Sequence, residues 1–143
     1  MTRFRRDDEG FTLIELMVVI IILSTLATIT VEVFLQQRRK GYDAAAKSDL
    51  RNVAEFEEIY LNDFQSYAPL AQVEANEPQV SVSKDVTVTL VYFQADVGYC
   101  LTAKHVGSAQ TWWWDSQAGG AQPPGSTGCS VTTTGLPGGA LVG

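Results

Sequence analysis

Histidine occurs once and cysteine twice among the 143 residues. His105, Cys100 and Cys129 are too few donors for a tetrahedral zinc site, and neither cysteine lies in a C-x-x-C pair. Lysine and arginine number 10 against 16 aspartates and glutamates, a formal net charge of −6. Broad, sequence-independent binding to nucleic acid is therefore not expected, since that affinity comes from clustered cations neutralising phosphates. A local basic patch stays open. Glycine-rich phosphate loops, nucleophile elbows and metal-ligand spacings are all missing. The chain is read as non-enzymatic, with no cofactor and no metal. Its length suits one compact domain plus one extended element.

What the sequence does hold is a long apolar run. Hydrophobic residues make up 45% of the chain, unevenly spread. From Phe11 to Leu35 only Thr12, Glu15, Ser24, Thr25, Thr28, Thr30 and Glu32 interrupt them. As a helix this run is roughly 37 Å long, enough to cross a bilayer core of about 30 Å. Leu16–Leu23 is apolar on every side, so it must be buried in lipid or in other protein. Arg3, Arg5 and Arg6 precede it as in a secretory signal, but no A-x-A-like cut site follows. Arg38, Arg39 and Lys40 flank the far end, so the positive-inside rule gives a tie. Glu15 lies near the start of the run. A carboxylate there costs several kcal/mol unless it is paired, and reads either as a functional group or as a side chain snorkelling to the membrane surface.

The sequence Gly10-Phe11-Thr12-Leu13-Ile14-Glu15, after a short charged leader and before an apolar run, resembles the processing site of type IV prepilins. That resemblance implies cleavage by the prepilin peptidase between Gly10 and Phe11 and methylation of the new amine on Phe11. Glu15 becomes the fifth residue and pairs with the N-terminal amine of a neighbouring subunit during assembly. Both charges of such a pair pay desolvation, so it sets register more than it adds stability. The implied partners are further copies of the chain in a filament, the prepilin peptidase, the inner-membrane assembly machinery and the membrane itself. The implied location is a single pass of the cytoplasmic membrane before assembly and an extracellular pilus afterwards. Many members of the family carry a glycine and a proline where Ser24 and Glu32 stand here. Glu32 is read as solvated or paired with a neighbouring subunit.

Helical periodicity continues through Ala46, Leu50, Val53, Phe56, Tyr60, Phe64 and Tyr67, and should end near Ser66–Pro69. Ala45–Ala54, running on to Gln65-Ser-Tyr67, also looks like the second half of a pilin helix. Beyond Pro78 the period becomes two. Val80–Ser83, Val86–Leu90 with Val91-Tyr-Phe, Tyr99–Lys104 and Thr111–Asp115 read as strands, with Gly107-Ser108 in a turn. The fold class is α+β: a long N-terminal helix, hydrophobic then amphipathic, whose second half packs on a small antiparallel sheet. The expected divisions are a leader over 1–10, a hydrophobic helix with its basic flank over 11–40, and a globular head over 41–143.

Gly119–Gly128 has loop chemistry, and the tail from Cys129 to Gly143 is expected to be mobile. Cys100 and Cys129 are either a disulfide, which an exported chain permits, or two buried thiols; a bond closing that loop contributes roughly 3–4 kcal/mol. Pilins commonly carry a disulfide-bounded C-terminal loop, and this pair fits that pattern. In Trp112-Trp113-Trp114 the outer two share one face of a strand. They serve as core and subunit packing, with ligand binding by an exposed indole as the alternative. His105 is expected to be a solvated strand-end residue, and Glu55, Glu57 and Glu58 a wet helix face. The resemblance implies a filament subunit serving adhesion, motility or DNA uptake. The alternatives are a pseudopilin of type II secretion and a membrane-tethered binding domain that never polymerises.

Overall fold

The computed structural model describes residues 10–130 and 138–143, with only the backbone described at 29 and 30. The leader therefore lies outside the described residues except for Gly10, as do residues 131–137 of the tail. The chain divides between Gln37 and Arg38 into two compact units. Helix α1, Leu13–Phe64, passes through the division and through Gly41 as one helix of 52 residues.

In the first unit every large apolar side chain from Leu13 to Leu23 is exposed. Three hydroxyls just beyond it are satisfied by the helix backbone. Ser24, Thr25 and Thr28 donate back to the carbonyls of Ile20, Ile22 and Ser24 at 2.5, 2.8 and 3.0 Å. Donating to a carbonyl three or four residues back lets a hydroxyl sit in apolar surroundings without an unmet hydrogen bond.

In the second unit the remainder of α1 packs on an antiparallel sheet. Its buried positions Ala46, Leu50, Val53 and Glu57 recur at steps of four, three and four, one face of a helix. The strands are β1 (Val86–Gln94), β2 (Gly98–His105), β3 (Trp112–Asp115), β4 (Gly120–Ala121) and β5 (Gly139–Val142), in the order β4-β3-β2-β1-β5. Val86, Val88, Leu90 and Phe93 of β1 are buried, with a bulge between Leu90 and Tyr92 resetting the alternation. Tyr99, Leu101 and Ala103 of β2 face the same core, and Trp112 closes it from β3.

Several readings of the sequence need correction. The first helix ends at Phe64, because Gln65 adopts a left-handed conformation at φ 57. A second helix, α2 (Leu70–Asn76), follows Pro69 and buries Leu70 and Val73. Residues 80–83 form no strand: the Ser83 amide, which a ladder would need, donates to Asp49 Oδ2 at 2.7 Å, and the Ser83 hydroxyl to Asp49 Oδ1. The end of the tail is not loose, since β5 pairs with β1 from Thr87↔Val142 to Leu90↔Gly139. Within the expected loop, Gly120 and Ala121 form β4 against Trp114 and Asp115. His105 is buried, stacked on Tyr42 at 4.0 Å, with Nδ1 accepting the Gly107 amide.

Gly120 sits at φ 91, and a Cβ there would come within 2.9 Å of the Trp114 ring. Gly120→Ala should therefore destabilise the head by about 1–3 kcal/mol through backbone strain and a displaced indole. Urea unfolding of the detergent-solubilised chain measures this; an unchanged midpoint would refute it.

Candidate functional site

The start of α1 is built by a local hydrogen-bond motif. Thr12 precedes the helix, and its Oγ1 accepts the Glu15 amide at 3.3 Å. The Glu15 carboxylate returns toward the same hydroxyl, with Oε2 at 3.5 Å, and the Leu16 amide donates to the Thr12 carbonyl at 3.2 Å. Thr-x-x-Glu ahead of an apolar run is the capping-box spacing. That signal stood in the sequence, and reading Glu15 as an amine partner or as a snorkelling side chain passed over it. A cap of this kind is worth about 1 kcal/mol. An acid in the first turn also opposes the positive end of the helix dipole.

Gly10, Phe11, Thr12 and Glu15 line one open cleft, and all four are exposed. The Gly10–Phe11 peptide bond thus lies on exposed chain outside the helix, which begins at Leu13. Such a bond suits a peptidase, which needs backbone that is not already committed to a helix. Cleavage there would leave an ammonium group beside a helix N-terminus, where the dipole disfavours it. Glu15 is the single acid in that turn. The 18-residue apolar window of α1 has a mean hydropathy of 2.5 and none of it is buried, so this helix is long and apolar enough to cross a membrane.

In the second unit Cys100 and Cys129 form a disulfide with Cα atoms 6.0 Å apart. The bond returns the C-terminal loop to β2, and Asp115 anchors it beside the bond. The Asp115 carboxylate accepts the Ser130 amide and hydroxyl and the Gln117 amide. Burial pushes that carboxyl up, but these hydrogen bonds, with one from Ala118, outweigh it and hold it below the ordinary carboxylate range.

Glu57, expected on a wet face, is fully buried. Neither carboxylate oxygen has a hydrogen-bond partner of good geometry. Burial is the main cause that pushes its pKa up to about 8; the Ala68 amide draws it down slightly, and Glu58 raises it further. Neighbouring Glu58 instead accepts from Tyr99 at 3.0 Å and Tyr67 at 3.4 Å. Among the described residues no group of His, Cys, Asp and Glu is placed to hold a metal ion.

A capped, acid-bearing first turn leads into an uncovered apolar helix, which must be buried in lipid or in other protein, and an α+β head follows in the sequence. The prokaryotic N-terminal methylation motif matches residues 5–31, which include Gly10, Phe11 and Glu15. The type IV wide pilus major component PilA4 of Thermus thermophilus is 32% identical over 102 residues, covering 71% of this chain and 77% of that protein. The type II secretion system core protein G of Pseudomonas aeruginosa is 35% identical over 68 residues, 48% of each chain. The type IV major pilin protein PilA of Myxococcus xanthus is 30% identical over 71 residues, 50% of this chain and 32% of that one. The chain belongs to the type IV pilin family.

Proposed function

We propose that this chain is a structural subunit of a type IV pilus. It waits as a single-pass protein in the cytoplasmic membrane, is cut between Gly10 and Phe11 by the prepilin peptidase and is methylated on Phe11. The inner-membrane assembly machinery then moves it into an extracellular fibre for adhesion, motility or DNA uptake. The observation that carries this reading is the uncovered apolar stretch Leu13–Leu23 beginning at one capped carboxylate. In lipid that surface is satisfied. Outside lipid it is satisfied only by burial against other helices, and the helices of further copies supply the same surface repeatedly.

Glu15 has a specific part in that transfer. On leaving the membrane, the Phe11 ammonium of one copy and the Glu15 carboxylate of another enter a low-dielectric bundle, where an unpaired charge costs about 3–5 kcal/mol. Pairing then selects one axial register. Glu15→Ala should leave cleavage largely intact and reduce sheared filament by about tenfold or more, because the amine is left buried without a partner. Filament yield at the wild-type level would remove Glu15 from this role.

A second reading, a pseudopilin of type II secretion, is favoured by the relationship to core protein G over 48% of the chain. The Cys100–Cys129 bond supports the surface pilin, since a loop held covalently suits an exposed fibre. The ordered β5 withdraws the support that a mobile tail would have given. Electron microscopy of cells expressing the chain separates the two readings: long surface filaments containing it support the pilus, and their absence supports the pseudopilin.

A further inference from the structure

Charge is segregated along the second unit. From Arg38 to Arg51 there are five cations and two acids, and both acids are occupied: Asp43 accepts the Ser108 hydroxyl and Asp49 holds Ser83. Beyond residue 51 there are two cations, Lys84 and Lys104, against nine acids. The basic stretch borders a groove of about 230 Å³ whose lining includes Lys47, Arg51 and the three tryptophans. Lys47 Nζ lies 3.7 Å from the centre of the Trp112 ring. Trp112 is 8% exposed, and its indole N–H has no hydrogen-bond partner. Lys47 and Arg51 are exposed, and neither forms an ion pair with a carboxylate among the described residues. The groove therefore offers aromatic walls and two cations, and no acidic side chain lines it.

The last turns of α1 present the opposite chemistry. Phe64 is 53% exposed and stacks on Tyr60 at 4.4 Å, with Ile59 beside them 37% exposed. Asp63 flanks this apolar knob and is exposed. Knob and groove lie about 18 Å apart along the helix, so one copy cannot join them.

We propose that the groove of Lys47, Arg51 and the tryptophans receives the acidic, aromatic end of α1 from a second copy of this chain. The inference rests on the filament reading and specifies a contact between heads. Two different patches that complement each other make a heterologous interface, which repeats without closing and builds a fibre. Aromatic residues and arginine are the types that carry binding energy in a desolvated contact. The exposed cations steer the acidic knob into register and reject a like-charged approach.

The test is a charge exchange in the full chain, expressed in place of the wild type. Lys47→Glu with Arg51→Glu, and separately Asp63→Lys, should each lower sheared filament about tenfold relative to total subunit. Combining all three substitutions should recover most of it, because opposite signs face each other again. Thermal melting of each membrane-extracted subunit checks that the heads fold. As a second measurement, zero-length crosslinking of isotopically mixed wild-type filaments should join Lys47 of one copy to Asp63 of another. Reversals that leave filament yield unchanged, a combination that recovers nothing with heads folded, or crosslinks that never join these residues would each overturn the proposal. If the wild-type chain forms no filaments at all, the filament reading itself fails and this contact with it.

Discussion

Glu57→Gln is expected to stabilise the head by about 3 kcal/mol at pH 7, the gain vanishing below about pH 4. In the folded head the Glu57 carboxyl is buried among helix and sheet with its pKa pushed up to about 8, against an ordinary value of 4.5. Between those two values the folded chain keeps a proton that the unfolded chain has released. Stability therefore falls as pH rises, by about 1.4 kcal/mol per unit and about 5 kcal/mol over the whole window. Above pH 8 the fall levels off, because both states are ionised. Glutamine keeps the size and remains neutral, so the variant should lose that slope. Urea unfolding of the detergent-solubilised chain, followed by the fluorescence of Trp112, Trp113 and Trp114, measures it at several pH values. A wild-type midpoint that does not move between pH 5 and 8 would contradict the buried, neutral state of Glu57.

The second large effect is the disulfide. Replacing Cys100 and Cys129 together by alanine should cost about 3–4 kcal/mol, because the unfolded chain regains the freedom of a loop closed over 29 positions. Cys100 is fully buried, so alanine also removes apolar contact in β2. The Asp115 bonds to Ser130 remain, and the loop should stay docked in the folded variant. The loss should therefore appear in the unfolding free energy and not in the spectrum of the folded head. A midpoint within error of the wild type would show that the bond does not constrain the unfolded chain.

The helix, its apolar half and the central strands were legible in the sequence because each carries a clean period. Leu16–Leu23 has no polar position, and Val86–Leu90 alternates without a break. The errors arise where a contact from far along the chain decides the outcome. The aromatic series Phe56, Tyr60 and Phe64 suggested the core stripe, yet the buried face runs through Val53 and Glu57, which leaves Phe64 largely outside. A strongly acidic segment gave no sign that its middle glutamate would lie inside. Val80–Ser83 alternates as a strand should, but the side chain of Asp49 captures its Ser83 amide. The glycines at the end of the tail read as looseness, whereas Gly138 is where the chain approaches Leu90 too closely for any side chain. Its amide donates to the Leu90 carbonyl at 3.0 Å and starts β5.

At the candidate site the local chemistry was only partly legible. Gly10, Phe11 and Glu15 lie within the matched motif, and the cap that Thr12 supplies was written in the same four letters as the acid. The division of labour among Glu55, Glu57 and Glu58 was not readable, because it depends on where Tyr99 and Tyr67 come to rest. Tyr99 places its hydroxyl 3.0 Å from Glu58, so that carboxylate is held at the edge of the core while Glu57 lies inside it.

Mass spectrometry of the first residues of the chain, recovered from the cell surface, tests the central claim most directly. The account predicts a chain that begins at Phe11, carries one methyl group on its α-amine and has lost Met1–Gly10. A surface chain that still begins at Met1 or Thr2 would contradict it.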